Sequence, residues 1–522
     1  MRRAETGFDR NALMGDMATR TRVLLRRTMG PLALLLLIEF LYLSLGKQRG
    51  GASFGMIAGS TLVALSIWAS EGRGMPIVPM MLIQTLFAYA LPLVTANSTV
   101  MDYSDEFILS AGGEVLVFNL SLIAGWYAAM KVVQPRKAIS YAFEGYRHES
   151  AHRLARLGLI LVVAPTALLV LQTLGLIDTL MALLPTGTNS IINALQGATS
   201  GCGFFLVAML AGAGDLAPAG HVTMWLTLVV SCIISASGLL LSSVIFNIAA
   251  VAIGLFWGSG KVPWRFLAAV FVLLSFFSIG KYAMRARYWR TDEGEAVAFS
   301  VSVADYPSFY AEWAQTSLDE TLGNGSKEVI SKATDEKTTI ESHSLLDRVN
   351  NLQNLLFVIE AVETRHIPVL AGATYTLVPK LLIPRILWPD KPRTHEGQVM
   401  LNVHFGRQDL TSTFQTYVAW GLLAEAYGNF GPIAGCLILG LALGAGLAWI
   451  ENFTARKLVI SLEGLVAFVI FLSLANSFEM VASVLVTSIE QAILPIIIAV
   501  TPFVRRQVTQ QTVHVDSPPP ES

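Results

Sequence analysis

Between Arg365 and Arg407 the chain sets six basic side chains, Arg365, Lys380, Arg385, Lys391, Arg393 and Arg407, against two acids, Asp390 and Glu396. Arginine forks onto phosphate oxygens through paired charge-assisted bonds, and lysine adds a point charge. The set suits an anionic, lipid-borne ligand met at headgroup level. His395 and Glu396 follow the densest part of the cluster, with His366 and His404 on either side. A histidine or a carboxylate there could take a proton from a hydroxyl. Further on, AEAYGNFG (Ala424–Gly431) puts Glu425 one to two turns before an apolar run. An acid at the mouth of a membrane helix needs a partner or a task. Tyr427 and Asn429 beside it have the groups to bind sugar hydroxyls.

The elements that must position these groups follow from local spacing. Pro368, Pro379, Pro384, Pro389 and Pro392 forbid a long regular helix through the cationic segment. Trp388 in its middle is an interfacial anchor, an apolar ring with one N–H. Upstream, from Ser344 to Glu363, Leu345, Leu346, Val349, Leu352, Leu355, Leu356, Ile359 and Val362 fall at helical spacing. That predicts an amphipathic helix lying on the membrane surface or on the spans, with Arg348 on its polar side. The stretch before it, 291–343, is polar and acidic and reads as a mobile surface excursion.

The rest of the chain is apolar. Of 522 residues 53% are hydrophobic and only 14% charged. A soluble domain carries roughly 25% charged residues, so the class is an all-α polytopic membrane protein. Twelve spans are expected, near 29–45, 54–69, 75–95, 109–131, 157–176, 192–213, 222–237, 239–257, 263–280, 432–450, 458–475 and 483–501. The sixth contains GATSGCG (Gly197–Gly203), which suggests a re-entrant break. The seventh and eighth meet at Ser237-Gly238 and form a hairpin or one bent element. Lys and Arg in the 132–156 loop, at Lys261 and Arg265, at Arg456 and Lys457, and at Arg505 and Arg506 put both termini in the cytoplasm. Lys47 and Arg49 are a mild exception.

The resulting organisation is a basic N-terminus (1–28), a membrane domain of about nine spans (29–280), one large extracytoplasmic loop (281–431), a second membrane domain (432–501) and a disordered tail (502–522). Cys202, Cys232 and Cys436 all lie in apolar runs, so neither a disulfide framework nor a zinc site is expected. Glu39 and Glu490 lie deep in the first and last spans, where a carboxylate must be paired or neutral.

At GATYTLVPKLLIPRILWPDKP (Gly372–Pro392) and EAYGNFGPIAG (Glu425–Gly435) the chain resembles the bacterial oligosaccharide repeat-unit polymerases, the Wzy-type O-antigen and exopolysaccharide polymerases. The late large loop supports the likeness, and the motifs cover about a fifth of the chain. The resemblance implies a GT-C-like membrane fold in the inner membrane; the loop holds no acidic metal cluster, so no metal or other cofactor is expected. It implies transfer of a growing glycan from undecaprenyl pyrophosphate to the next lipid-linked unit, beside a flippase and a chain-length regulator, and no nucleic acid. Arg385, Lys391 and Arg393 would then stabilise the pyrophosphate. Arg348 and Arg365 would hold the second carrier, with Tyr375, Lys380, Tyr427 and Asn429 completing the binding set. Glu425 or His395 would take the acceptor proton. A lipid-linked glycan ligase and a precursor flippase are the rival readings.

Overall fold

The computed structural model describes residues 17–46, 49–133, 139–142, 148–177, 183, 188–239, 241–288, 291–292, 295–296, 301–322, 328–330, 337–339, 350–383, 388, 390–415, 418–455, 460–477, 480–503 and 505–508. The protein is a helical, multi-pass membrane protein. Among the described residues, eleven helices are long and apolar enough to cross a bilayer. In chain order these are α1 (Met17–Leu45), α2 (Gly51–Glu71), α3 (Ile77–Val94), α4 (Asp105–Val132), α5 (His148–Thr173), α6 (Thr188–Ala213), α7 (Pro218–Ser237), α8 (Ser242–Ser259) and α9 (Trp264–Tyr288) before the long loop. The loop contributes α10 (Tyr306–Thr321), α11 (Leu352–Glu363), α12 (Glu396–His404) and α13 (Leu422–Phe430). The chain then returns through α14 (Ala434–Thr454), α15 (Leu462–Ser477) and α16 (Ala482–Val500).

The eleventh expected span corresponds to α15, a shorter apolar helix of 16 residues. Two expectations are corrected. The expected break at Gly197–Gly203 is absent, and α6 runs through it as one helix. Its glycines serve close approach. A Cβ on Gly203 would sit 2.7 Å from the Leu161 carbonyl carbon of α5, and one on Gly201 2.6 Å from the Phe246 ring of α8. Small residues at helix crossings let backbones meet where no hydrophobic force drives association. Finally, the 291–343 stretch is not all excursion. Phe309, Tyr310 and Trp313 fall on one face of α10 and pack with Leu239, Leu241 and Met284 into a small second core, with Tyr306 on the same face edge-on to Tyr310. Trp313 Nε1 donates to the Phe277 carbonyl of α9 at 2.9 Å, and Arg287 pairs with Glu312.

The tightest packing joins α4 to α14, where Gly125, Gly440 and Gly444 leave no room for a Cβ. Below it a buried carboxylate ties three spans. Glu451 of α14 accepts from Trp68 Nε1 (3.0 Å) of α2, Trp126 Nε1 (2.7 Å) of α4, and the amides of Arg73 (2.7 Å) and Gly74 (3.3 Å). A strand pair, Ile139–Ala142 antiparallel to Arg505–Val508, places the connection after α4 beside the segment after α16. Part of the expected disordered tail is therefore paired, while 509–522 lie outside the described residues.

In α3 the chain widens to a π-helical turn at Leu86–Ala90, just before Pro92. The Ala88 carbonyl released there accepts from the Asn351 amide at 3.1 Å, at the head of α11. The expected helix over 344–363 is α11, with 344–349 outside the described residues; its apolar face is buried through Leu352, Leu355, Leu356 and Ile359.

Candidate functional site

Two arginines converge on one aromatic ring. Arg365 follows α11, and its guanidinium lies 4.9 Å from the Phe357 ring centre. Arg407 follows α12 and the left-handed Gly406, and lies 5.3 Å from the same ring and 5.7 Å from that of Trp420. Arg407 Nη1 donates to Asn354 Oδ1 at 2.8 Å, and Arg365 Nη1 to the Phe405 carbonyl at 3.5 Å. Asn354 is itself held by Asn351 (3.2 Å), and Trp420 by Asn402 (2.7 Å). Burial lowers the pKa of the Arg407 guanidinium, and nearby Tyr103 works the other way. Tyr103 is raised by burial first and Glu360 second, against the pull of Arg407 and Arg365.

Among the described residues neither arginine has a carboxylate within ion-pair distance. The Nδ2 groups of Asn351 and Asn402 are buried there with no hydrogen-bond partner in the described structure. Two cations held over rings, one by a carboxamide and one by a backbone carbonyl, with donors left over, have the chemistry to bind an anion. A half-buried guanidinium without a counter-charge is costly until an anion neutralises it.

A second knot lies beside this pair. Glu425 is fully buried on α13. One of its oxygens accepts from the Thr374 hydroxyl (2.7 Å) and the other from the Ala482 amide (2.6 Å), where α16 begins. Asn429 donates to Thr374 Oγ1 at 2.9 Å. Tyr375 stacks on Phe430, ring centres 5.6 Å apart, and Tyr427 donates to Glu363 at 2.8 Å. The GATYT segment, α13 and the last span are thus clamped by one carboxyl. Burial pushes that carboxyl up to about 7, against the opposing pull of the Ala482 and Thr374 bonds.

Because the folded value lies above the ordinary 4.5, the stabilising contribution is complete below pH 4.5 and is lost as pH rises to about 7. The full swing is roughly 3 kcal/mol. Thermal unfolding of the purified protein from pH 4.5 to 8 is expected to show this decline, and Glu425→Gln to flatten it. Parallel wild-type and Gln profiles would exclude the assignment.

The other expected site residues separate. Lys391 is turned inward, 7% exposed, donating to the Leu381 carbonyl at 2.7 Å and within electrostatic reach of Glu490 on α16. Its charge is buried against a backbone carbonyl rather than presented at the surface as expected. Arg393 and Lys380 are exposed. His395 caps α12 and its Nδ1 meets Gln398 Oε1 at 2.7 Å. Arg385 and Arg348 lie outside the described residues. Glu425 has both oxygens occupied and no exposed surface.

No protein-family model, curated protein or solved structure matches the chain. Geometry and chemistry therefore carry the assignment. Sequence reasoning undervalued Arg407 and passed over Tyr103, Asn354, Phe357 and Trp420. The signal available was Arg407 following Gly406 at the end of an apolar helix.

Proposed function

We propose that the protein polymerises undecaprenyl-pyrophosphate-linked oligosaccharide units by glycosyl transfer at the outer face of the inner membrane, with both termini cytoplasmic. The observation that carries this reading is the Arg365–Arg407 pair, carboxylate-free among the described residues and seated on the Phe357 ring. A lipid diphosphate supplies the charge such a pair lacks. In the transfer, the glycosidic bond to the pyrophosphate breaks, the bond to the acceptor oxygen forms, and the acceptor proton leaves to a base. Negative charge grows on the departing pyrophosphate, where fixed guanidinium donors lower the barrier.

With Glu425 sealed, His395 is the proton acceptor this reading favours, its ring half-buried and its Nδ1 fixed by Gln398. Arg393 and Lys380, both exposed, draw the carrier headgroup in, and Arg348 and Arg385 belong to the same proposed set. Glu425, Tyr375, Tyr427 and Asn429 shape the platform. Reconstitution with lipid-linked oligosaccharide extracted from the host tests the reading. A ladder of lengthening lipid-linked chains is the expected product. Transfer to a different acceptor with no ladder would make the protein a ligase, and movement across the vesicle wall without bond formation would make it a flippase.

A further inference from the structure

A second chemistry sits on the opposite flank of the bundle. The C-terminal ends of α5, α7 and α15 and the N-terminal halves of α6 and α8 enclose a cavity of about 380 Å³, within the range of small-ligand sites. The loop packs near this end of the bundle. Arg285, at the end of α9 that enters the loop, donates to the Leu239 carbonyl in the α7–α8 connection at 2.8 Å, and Tyr306 of the loop meets Ser237 at 3.1 Å.

The wall is polar yet uncharged. Five carboxamides, Gln172, Asn193, Gln196, Asn247 and Asn476, face it with serine hydroxyls from α6, α7 and α8, and among the described residues no lining side chain carries a charge. Asn247 is fixed by Ser231 (3.1 Å) and Ser200 (3.3 Å), and Gln196 by the Pro165 carbonyl (3.1 Å). Polar side chains are expensive in a membrane interior and mark pathways and sites. Carboxamides and hydroxyls both donate and accept, as sugar hydroxyls do. Phe246 adds an apolar face on which the C–H side of a sugar ring can lie. With no cation, the wall has nothing to hold a diphosphate.

We propose that this cavity binds a neutral, polyhydroxylated ligand, a sugar unit of a glycan. The wall chemistry alone supports the class; that the sugar arrives on a lipid carrier rests on the function proposed above. The cavity would hold the glycan while the arginine pair holds a pyrophosphate, so that recognition of sugar and of carrier is divided.

Gly197 gives a clean test. It lines the cavity, and a Cβ built on it meets nothing within 4 Å. Gly197→Leu therefore fills the space without a backbone clash and improves helix propensity. Gly446→Leu, exposed on α14 and equally unobstructed, is the control. The probe is the host's total lipid-linked oligosaccharide pool, released from its carriers by mild acid, radiolabelled, and dialysed to equilibrium against full-length protein in nanodiscs. Wild type and Gly446→Leu are expected to bind it equally. Gly197→Leu is expected to lose at least tenfold in affinity, and inorganic pyrophosphate is expected not to compete. Absence of binding by wild type, unchanged binding by Gly197→Leu, or displacement by pyrophosphate would overturn the inference. Failure of chain growth in reconstitution with glycan binding intact would instead overturn the polymerase reading alone.

Discussion

Arg407→Gln is expected to reduce polymer formation by at least about 100-fold, the scale on which removing one fixed donor to a developing anion acts. The side chain is half-buried, stacked against Phe357 and Trp420, and anchored by Asn354. Its charge has no carboxylate to serve among the described residues. Arg407→Lys keeps the charge but loses the fork and the ring stacking, and should recover only part of the rate. Arg365→Gln, more exposed and more weakly bonded, should cost about tenfold. Chain-length ladders, read beside membrane levels and thermal midpoints of each variant, check the series. A normal ladder from Arg407→Gln at normal protein level would remove the anion site from the mechanism.

Glu451→Ala is expected to destabilise the membrane domain by about 3 kcal/mol or more, because several buried donors are orphaned together. Four N–H groups from two tryptophans and the 73–74 backbone lose their acceptor at once, and each buried donor left unpaired costs about 1–3 kcal/mol. Glu451→Gln keeps the shape but turns one oxygen into a donor facing donors, so it should fall between. Size-exclusion profiles and unfolding midpoints in detergent measure this. A Glu451→Ala protein as stable as wild type would mean that the knot contributes little to holding α2, α4 and α14 together.

The contrast between what could be read in the sequence and what could not has a physical basis. Spans announce themselves through runs of apolar residues, and α11 through Leu352, Leu355, Leu356 and Ile359 on one face. Glu425 stood out because an acid beside an apolar run is conspicuous, although its role as a clamp depends on Thr374 and Ala482, far apart in the chain. Glu114 and Glu451 went unweighted beside Glu39 and Glu490, yet each caps backbone amides across spans, Glu114 through Ile433 at 2.6 Å. The arginine site draws on 357, 365, 407 and 420, with Tyr103 from another turn. No local spacing reveals such a meeting, because it exists only once α11, α12 and α13 have docked. The dense cationic run misled for the opposite reason. Neighbours in sequence parted in space, Lys391 inward to Leu381 and Arg393 outward. On α10 the aromatic spacing was visible but was outweighed by the acidic residues around it.

The dock between Ala88 and Asn351 is made of main-chain atoms alone. Such a weld asks nothing of the side chains on either side of it. Pro92, four residues past Ala88, has no N–H to return to that carbonyl and so leaves the acceptor free; replacing Pro92 would therefore weaken the joint where other substitutions nearby would not. Heredity can then rewrite most of the letters around this seam while the loop platform stays bolted to its pedestal.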